Sequence, residues 1–505
     1  MTTVEATHTD PGDLAVDALV VGIHQGADGA APTLADGAGN VATAFSGKLA
    51  DTFALLGATG TVGEVTKLAS LGAVPTPLVV GVGLGERDET TLETLRRAAG
   101  AATRALAGSG TIALALPLTA AGTDVVDAVA AVAEGALLGS YQFTGYKTRK
   151  NGDHREPVGT VQVVCDKVDG VAERLARVTA VANAVHRTRD WVNTAPNELR
   201  PPQFAESIAA AAQEAGLEVE VLDEKALREG GYGGILAVGE GSAALPRLVR
   251  IAYRAEGASK HVALVGKGIT FDTGGVSIKP SQGMWEMKSD MAGAAAVAAT
   301  MLAVAALRPA VSVTAYIPIA ENMPSGTSYR PGDVVTMYNG KKVEVLNTDA
   351  EGRMILADAI ARACEDEPDY LLETSTLTGG QVTALGKRIS GVMGTDELCE
   401  RVKQVGEKVG EPAWPMPIAE DVRKLMESDI ADVSQVASGM DRSGHMLQGG
   451  AFLSQFVTDD VAWAHIDIAG PAYHTGEPYG YITKGGTGVP VRTLVSMIED
   501  IADNG

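Results

Sequence analysis

The chain has few cysteines and no visible leader segment. Its three cysteines, Cys165, Cys364 and Cys399, are far apart among 505 residues and form no C-x-x-C pair. This pattern fits neither a disulfide framework nor a thiolate zinc site, and it favours a reducing cytosol. The N-terminus lacks a basic segment followed by an apolar one, so we expect no secretory signal and a cytoplasmic location.

Long uncharged stretches and clustered positive charge are also scarce. One uncharged stretch, 291–307, is rich in alanine and only reaches the lower length limit for crossing a bilayer, so a buried helix is expected there. The formal net charge of −22 repels polyanions, and only the short basic stretch 146–155 offers a contact for nucleic acid. Such a stretch is more often a solvated loop. We therefore expect neither a membrane nor a nucleic acid as partner.

Sequences that cradle phosphate groups are missing as well. The glycine-rich run 81–85 follows a predicted strand but lacks the full G-x-G-x-x-G spacing into a helix, so we interpret it as a strand-to-helix turn. No Gly-Lys-Ser/Thr sequence occurs. Phosphoryl transfer on two metal ions, which needs such loops, is therefore disfavoured.

Length and periodicity predict a two-domain α/β protein. A chain of 505 residues is too long for one ordinary core. Stretches typical of strands alternate with helical patterns along the chain, as in α/β layers. A helix near 171–191 and the proline-rich loop after it are interpreted as the connection. We predict a smaller N-terminal α/β domain at 1–170, a linker at 171–202 and a larger C-terminal α/β domain at 203–505, with a mixed sheet flanked by helices.

Three separated motifs contain most of the acidic and basic residues that point to chemistry. They are VGKGITFDTGGVSIKPS at 265–281, MKSDMAGA at 287–294 and NTDAEGRMI at 347–355. In the last motif a glycine separates two hard oxygen ligands from an arginine, an arrangement that suits a divalent cation with an anion beside it. The candidate residues in the three motifs are Lys267, Asp272, Lys279, Asp290, Asp349, Glu351 and Arg353.

Each acid has an ordinary structural explanation when it is taken singly. Asp290 could cap the helix that follows it, whereas Asp272 and Asp349 could shape turns. Isolated turns do not explain why four acids occur in such motifs together with Lys267 and Lys279. Carboxylates that are brought together must be neutralised by protons, bases or metal ions.

The predicted strands place several of these residues at one edge of a sheet. Lys267 and Asp272 follow the predicted strand 262–265, and Thr376 and Leu377 follow another strand farther along the chain. Ligands of α/β proteins bind at the carboxyl ends of such strands. The predicted position and the predicted chemistry therefore agree.

The composition of the motifs favours metal ions as the neutralising charge. Two divalent ions that share bridging carboxylates would balance four acids and lower the pKa of a bound water. All eight histidines lie outside the motifs, and no His-Glu-x-x-His sequence occurs. The ligand set is therefore mainly oxygen, which suits Mn²⁺ or Mg²⁺ and also accepts Zn²⁺.

The same motifs resemble those of the leucyl aminopeptidases, the dinuclear cytosol aminopeptidase family. The resemblance extends from about residue 185 to the C-terminus, whereas the first 170 or so residues share only a general α/β character and the glycine-rich turn. It implies a catalytic metallopeptidase domain at 203–505, an N-terminal domain for assembly or regulation, and a homohexamer. It also implies peptide substrates that are cut at the N-terminal bond, with a preference for apolar first residues such as leucine.

The resemblance further implies two metal ions per subunit, Mn²⁺ or Zn²⁺, with Mg²⁺ and Co²⁺ as alternatives. Lys267, Asp272, Asp290 and Glu351 would surround the tighter site. Asp272, Asp349 and Glu351 would surround the more exchangeable one, so that Asp272 and Glu351 bridge. Lys267 would have to be a neutral amine to act as a ligand, which requires a lowered pKa. The alternative for Lys267 is a salt bridge to an acid.

Catalytic and substrate-binding residues are implied in the same way. Lys279 would polarise the scissile carbonyl and stabilise the gem-diolate, and Arg353 would hold a bicarbonate ion that takes a proton from the metal-bridging water. The free α-amine of the substrate would bind the exchangeable metal. The implied residues of the pocket for the first side chain are Met287, Thr376, Leu377, Gly379 and Ala469.

Two further readings stay open at this stage. Some relatives bind DNA through an assembled hexamer, although the net charge of −22 argues against that here. A relative that kept the fold without catalysis is the other reading. All seven matched positions are intact, which argues against it.

Overall fold

The computed structural model describes residues 2–119, 122, 124–148 and 155–505. Residues 149–154 of the predicted basic stretch lie outside the described residues. The chain forms two compact units: one contains Met1–His186 with Thr475–Lys484, and the other contains Arg187–His474 with Gly485–Gly505. Both are α/β, which confirms the predicted fold class. The predicted linker at 171–202 begins with the long helix Val171–Asn193, and the division between the units falls inside this helix.

The first unit is built on a mainly parallel sheet. Its central strands Ala18–His24 and Leu78–Gly85 are almost entirely buried, as expected for apolar strands that are covered on both faces. In spatial order the described strands are Thr3–Thr7, Thr160–Val164, Thr111–Ala115, Ala18–His24, Leu78–Gly85 and the antiparallel Val65–Ala69, with Thr33–Leu34 pairing to Ala18–His24. The described α-helices are Gly39–Ala44, Leu49–Leu55, Leu92–Ala105, Val125–Gly139 and the first part of Val171–Asn193.

The segment Thr475–Lys484 belongs to this first unit although it lies near the end of the chain. Tyr481 is only 3% exposed, and its hydroxyl donates a hydrogen bond to Glu93 Oε1 at 2.9 Å. Gly100 makes room for it, because a Cβ at this position would lie 2.7 Å from Tyr481 Cβ. The first unit is therefore completed by ten residues that are remote in sequence.

The second unit is built on a larger mixed sheet, as predicted. Its central strands run parallel, and antiparallel strands flank them on both sides. In spatial order the described strands are Ala413–Pro415, Ser390–Gly394, Ala462–Asp467, Tyr370–Ser375, His261–Gly266, Ser312–Asn322, Arg247–Tyr253 and Glu218–Leu222, with Gly268–Asp272 pairing to Ser312–Asn322. Small sheets are formed by Val334–Thr336, Lys342–Glu344 and Val433–Ser434, and by Tyr473–His474 and Gly485–Gly486.

The register of the parallel strands brings their carboxyl ends to one edge. Gly266 lies opposite Thr374, and Ser375 lies opposite Asp467. The backbone N–H of Lys267 continues the ladder by donating to Thr374 O at 3.1 Å. Residues that directly follow these strands are therefore held close together.

Helices cover the sheet of the second unit. The most apolar of them, Ala292–Leu307, meets the length and composition of a membrane span when the preceding turn is included, yet 78% of its apolar window is buried inside the structure. It is a core helix, as the sequence predicts. The described α-helices are Pro201–Glu214, Glu224–Gly230, Gly233–Gly239, Ala292–Leu307, Glu351–Cys364, Gly379–Leu385, Asp396–Val409, Glu420–Lys424, His445–Leu453 and Val491–Asn504.

One helix lies earlier in the chain than the sequence pattern predicts. The pattern indicates a helix that contains residues 451–457, whereas the structure has an α-helix at His445–Leu453 followed by a short 3-10 turn. In the sequence, the glycines at 449 and 450 indicate that a helix is interrupted there, because glycine is a poor helix former. Here Gly449 allows close packing, since a Cβ at this position would lie 2.8 Å from Leu377 Cδ2.

Candidate metal centre and anion site

The predicted acidic and basic residues meet at the carboxyl edge of the second sheet. Lys267 follows the strand His261–Gly266, and Asp272 ends the short strand Gly268–Asp272. Asp290 precedes the helix Ala292–Leu307 but does not cap it, because Met291 occupies the N-cap position. The helix Glu351–Cys364 begins with Glu351 and carries Arg353 in its first turn.

Lys267 lies at the centre of the cluster and is 2% exposed. Its Nζ lies 2.8 Å from Asp290 Oδ2 and 2.9 Å from Glu351 Oε1, and it donates a hydrogen bond to Thr376 O at 3.0 Å. Burial lowers the pKa of Lys267, but the charges of the surrounding carboxylates outweigh this effect and raise it above its ordinary value. Gly352 makes room for the side chain, since a Cβ there would lie 2.4 Å from Lys267 Cε.

Asp272 and Lys279 form the second half of the cluster. Asp272 is buried, and its Oδ1 accepts hydrogen bonds from Gly274 N and Asn322 Nδ2, both at 2.8 Å. Its Oδ2 lies 2.6 Å from Lys279 Nζ, which also contacts Asp349. The Lys279 side chain retains 21% of its exposure, whereas that of Lys267 retains 3%.

A buried glutamine fixes the turn that carries Asp349 and Glu351. The Oε1 of Gln435 accepts from Asn347 N at 3.1 Å, and its Nε2 donates to Ala350 O at 2.9 Å. Thr348 ties the same turn to the neighbouring motif by donating to Gly274 O at 2.6 Å. Loops that are distant in sequence are therefore locked together around the carboxylates.

The charges of this cluster fit divalent cations. Carboxylate oxygens of Asp272, Asp290 and Glu351 all lie within 4.8 Å of one another. Four carboxylates, including Asp349, face only two ammonium groups, so negative charge is in excess. Burial raises the pKa of Asp290 to about 6 against the opposing effect of Lys267, and burial together with Glu351 raises that of Asp272 well above its ordinary value.

Two oxygens of the cluster also lack a satisfactory protein donor. Asp290 Oδ2 and Asp349 Oδ1 are buried and, within the described residues, accept no hydrogen bond of good geometry, although each lies against a lysine ammonium group. Buried acceptors of this kind are costly unless a ligand or an ion satisfies them. The donor set of carboxylates and one amine therefore fits hard divalent cations.

Arg353 forms a distinct cationic site next to the carboxylates. It is 2% exposed, and its Nη1 donates to Gln435 O at 2.8 Å. Its Nε is buried without a hydrogen-bond partner, and no described acidic side chain lies within 4.0 Å of the guanidinium. Burial lowers the pKa of Arg353 to about 10, against the raising effect of Glu351 and Asp467. A buried guanidinium with spare donors fits a small anion such as bicarbonate.

The residues of the predicted substrate pocket surround the ends of two strands. Leu377 N and Ala469 N both donate to Asp467 Oδ1 at 3.1 Å, which places these two residues side by side. Thr376 is nearer to the charged cluster, because its Oγ1 donates to Asp290 Oδ1 at 2.7 Å. Met287 lies in the turn before Asp290, and Gly379 begins the helix Gly379–Leu385 at an exposed position.

Sequence reasoning missed several residues that hold this site together. Asn322, Thr348 and Gln435 orient the acids without belonging to the charged set. Asp467 connects the strand ends, and Thr378 Oγ1 donates to its Oδ2 at 2.7 Å. The strand ends at 322 and 467 were the available signal, since polar residues at the carboxyl ends of parallel strands lie next to the bound ligand.

Comparison with known proteins agrees with this geometry. The model of the cytosol aminopeptidase family catalytic domain matches residues 186–495, and that of the N-terminal domain of the same family matches residues 20–150. A "Probable cytosol aminopeptidase" of Rhodococcus jostii (strain RHA1) is 50% identical over 97% of this chain and 96% of its own length. A protein of the same name from Mycobacterium leprae (strain TN) is 50% identical over 89% of this chain and 86% of its own.

A solved structure is similar over nearly the whole chain. It is described as "Bottromycin maturation enzyme BotP in complex with Mn", and it is 36% identical with a TM-score of 0.84, covering 97% of this chain and all of its own. The matches to both family models and to full-length relatives lead to one conclusion. The chain belongs to the cytosol aminopeptidase family of peptidases.

Proposed function

We propose that the protein is a metal-dependent aminopeptidase that hydrolyses the N-terminal bond of peptides and prefers apolar first residues such as leucine. The observation that carries the proposal is the buried cluster of Asp272, Asp290 and Glu351, with ligand oxygens within 4.8 Å of one another. The partly exposed Lys279 side chain and the buried guanidinium of Arg353 complete the set. A carboxylate cluster, a lysine that contacts it and a cationic anion site together suit hydrolysis of an amide.

The residues that would hold two divalent cations are Lys267, Asp272, Asp290, Asp349 and Glu351. Mn²⁺ is favoured because the similar solved structure is described as a complex with Mn, and Zn²⁺, Mg²⁺ and Co²⁺ are alternatives. When bound, the ions supply a water of lowered pKa and polarise the substrate carbonyl. Lys267 must release its proton to act as a ligand, since an ammonium group has no lone pair.

Lys279 is the residue placed to act on the substrate carbonyl. Its ammonium group contacts Asp272 and Asp349, and the side chain as a whole is partly exposed. In the reaction it would donate a hydrogen bond to the carbonyl oxygen as negative charge develops there, which lowers the barrier more than it strengthens substrate binding. Burial lowers the pKa of Lys279, but the carboxylates outweigh this effect and keep the group cationic.

Arg353 would hold bicarbonate as the base. Bicarbonate would supply a base for the proton of the attacking water, and the role of Arg353 would be to bind and orient that ion beside the carboxylates. This arrangement needs no side-chain nucleophile. The buried Nε without a partner supports the assignment, because it offers a donor that the described protein groups do not use.

Substrate recognition and assembly follow from the same proposal. Met287, Thr376, Leu377, Gly379 and Ala469 would surround the first side chain of the peptide. The free α-amine would be recognised beside Asp349, which is the most exposed of the carboxylates. We further propose a cytoplasmic homohexamer that acts on peptides, with the N-terminal unit serving assembly or regulation.

The test is hydrolysis of leucine p-nitroanilide beside its N-acetyl derivative. The enzyme is stripped of metal and then restored with Mn²⁺ or Zn²⁺ in separate samples. We expect cleavage of the free amine only, and only after a metal is restored. Equal cleavage of both compounds would contradict an aminopeptidase, and full activity in the stripped enzyme would contradict metal dependence.

A further inference from the structure

The helix His445–Leu453 presents one face to the anion site at Arg353 and to the segment that follows the strand Tyr370–Ser375. His445, Gly449 and Phe452 share this face because they are four and then three residues apart. The ring of Phe452 lies 6.0 Å from the guanidinium carbon of Arg353. Gly449 packs against Leu377. The helix face therefore contacts both Arg353 and the segment after the strand Tyr370–Ser375.

His445 lies at the start of this face, beside Gly380. A Cβ at Gly380 would come within 3.2 Å of His445 Cβ. The His445 side chain is half-buried, and its Nδ1 is buried with no hydrogen-bond partner among the described residues. A buried ring nitrogen without a partner is costly unless a ligand satisfies it.

Burial, together with two neighbouring positive charges, keeps the ring of His445 neutral. Burial lowers its pKa to about 4, and the positive charges of Arg353 and Arg442 act in the same direction. A neutral imidazole has one ring nitrogen that carries no proton and can accept a hydrogen bond. His445 therefore offers an acceptor within electrostatic reach of the Arg353 guanidinium, which offers only donors.

The chemistry of bicarbonate requires both kinds of partner. Its carboxylate oxygens accept hydrogen bonds, which the guanidinium of Arg353 can supply. Its O–H group is a donor, and a guanidinium cannot accept from it. Acetate has the same charge and a similar carboxylate, but it carries a methyl group in place of the O–H.

We propose that His445 is a further residue of the anion site and that its imidazole accepts a hydrogen bond from the O–H of a bicarbonate held by Arg353. The inference rests on the proposed role of Arg353. It deepens that role, because His445 would make the anion site selective among small anions. An anion that carries a proton is preferred over an anion that only accepts hydrogen bonds. His445 acts on the base of the reaction and not on the peptide.

The test is calorimetric titration of the full-length, metal-loaded enzyme with bicarbonate and, separately, with acetate. The variants are His445→Leu, His445→Asn and Arg353→Met. Leucine removes the acceptor, whereas asparagine can place its carbonyl oxygen near the position of Nδ1. Arg353→Met reports anion binding at the metals alone. Metal content is measured for every variant to show that the centre is intact.

We expect wild type to bind bicarbonate more tightly than acetate. His445→Leu should weaken bicarbonate roughly tenfold, the size of one lost hydrogen bond to a charged ligand, and should leave acetate unchanged. His445→Asn should restore most of the bicarbonate affinity. Arg353→Met should weaken both anions.

Two results would overturn the inference alone. One is unchanged bicarbonate affinity in His445→Leu while Arg353→Met loses it. The other is an equal loss for both anions in His445→Leu and His445→Asn, which would indicate a structural role for the ring. If Arg353→Met binds bicarbonate as wild type does, both the proposed role of Arg353 and the inference are overturned.

Discussion

The two sheets of this protein share an architecture but differ at their carboxyl edges. In the first unit the edge is closed by backbone: a Cβ on Gly83 would lie 1.9 Å from Thr61 O. In the second unit the corresponding edge is filled by charged side chains, including Lys267 and Asp272, that are buried against one another. An α/β sheet provides the position for a site, and the residues after its strands decide whether a site forms.

The largest expected effect comes from neutralising the charged edge of the second sheet. Asp272→Asn keeps the shape of the side chain and removes a carboxylate shared by the proposed metal sites. We expect loss of metal and a fall in kcat/KM of more than about a thousandfold, since bound metal supplies several kcal/mol of transition-state stabilisation. Metal analysis and steady-state kinetics measure both quantities.

Asp223→Asn is the matched control for that change. Asp223 is an exposed N-cap that accepts hydrogen bonds from Lys225 N and Ala226 N, and asparagine caps helices equally well. Its metal content and activity should match wild type. Retention of both metals by Asp272→Asn would show that the acids are structural.

The next largest effect is expected from Lys279, the lysine that we propose acts on the substrate carbonyl. Lys267, in contrast, holds the carboxylates together. Lys279→Met keeps the aliphatic stem and removes the charge, so kcat should fall by about a hundredfold to a thousandfold while metal content is retained. Lys342→Met, at an exposed position of the strand Lys342–Glu344, serves as control. Loss of metal in Lys279→Met would instead assign Lys279 to the metal centre.

A smaller effect is expected from adding one methyl group beneath the charged edge. In Gly352→Ala the new Cβ would collide with Lys267 Cε, and Lys267 would have to leave Asp290 and Glu351. We expect metal affinity to fall about tenfold to a hundredfold, as for other changes that reposition a ligand. Metal titration measures this affinity.

Gly326→Ala is the control for this methyl group, because Gly326 is exposed and a Cβ added there would meet no described heavy atom within 4 Å. Equal metal affinity in Gly352→Ala and Gly326→Ala would mean that metal binding does not depend on the observed position of Lys267.

The smallest effect is expected at the edge of the first sheet. Gly83→Ala places a Cβ against the backbone of Thr61, which cannot give way as a flexible side chain can. The free energy of unfolding should fall by about 1–3 kcal/mol, and the thermal unfolding temperature with it. The kcat of the folded enzyme should not change. A lower kcat at full folding would show that this edge takes part in function.

Sequence alone predicts the elements whose pattern is local. The alanine-rich stretch predicts a buried helix at 292–307, and the structure has the helix Ala292–Leu307. The pattern also predicts a helix near 353–364, and the observed helix Glu351–Cys364 begins two residues earlier. The acids of the cluster are also predictable, because each lies in a short motif of unusual charge.

Contacts between segments that are distant in sequence cannot be predicted from a local sequence pattern. The apolar pattern predicts a strand at 311–317, whereas the observed strand is Ser312–Asn322. The additional residues pair with Gly268–Asp272, which places Asn322 beside Asp272. Gln435 reaches the turn before Glu351 from a loop far along the chain. These amides satisfy backbone and carboxylate groups. The end of a strand is the signal available for Asn322, whereas the sequence around Gln435 does not indicate such a role.

The segment Thr475–Lys484 limits how recombination can exchange the N-terminal unit of this protein. Because the first unit includes these ten residues, neither unit corresponds to one continuous stretch of coding sequence. Recombination near residue 186 would exchange the sequence before that point, including the helix Leu92–Ala105, and would leave Tyr481 unchanged. The incoming residues at positions 93 and 100 would then have to fit the original Tyr481, as Glu93 and Gly100 do now. Exchange of the N-terminal unit therefore requires compatible residues near the C-terminus, and the two parts of the gene must change together.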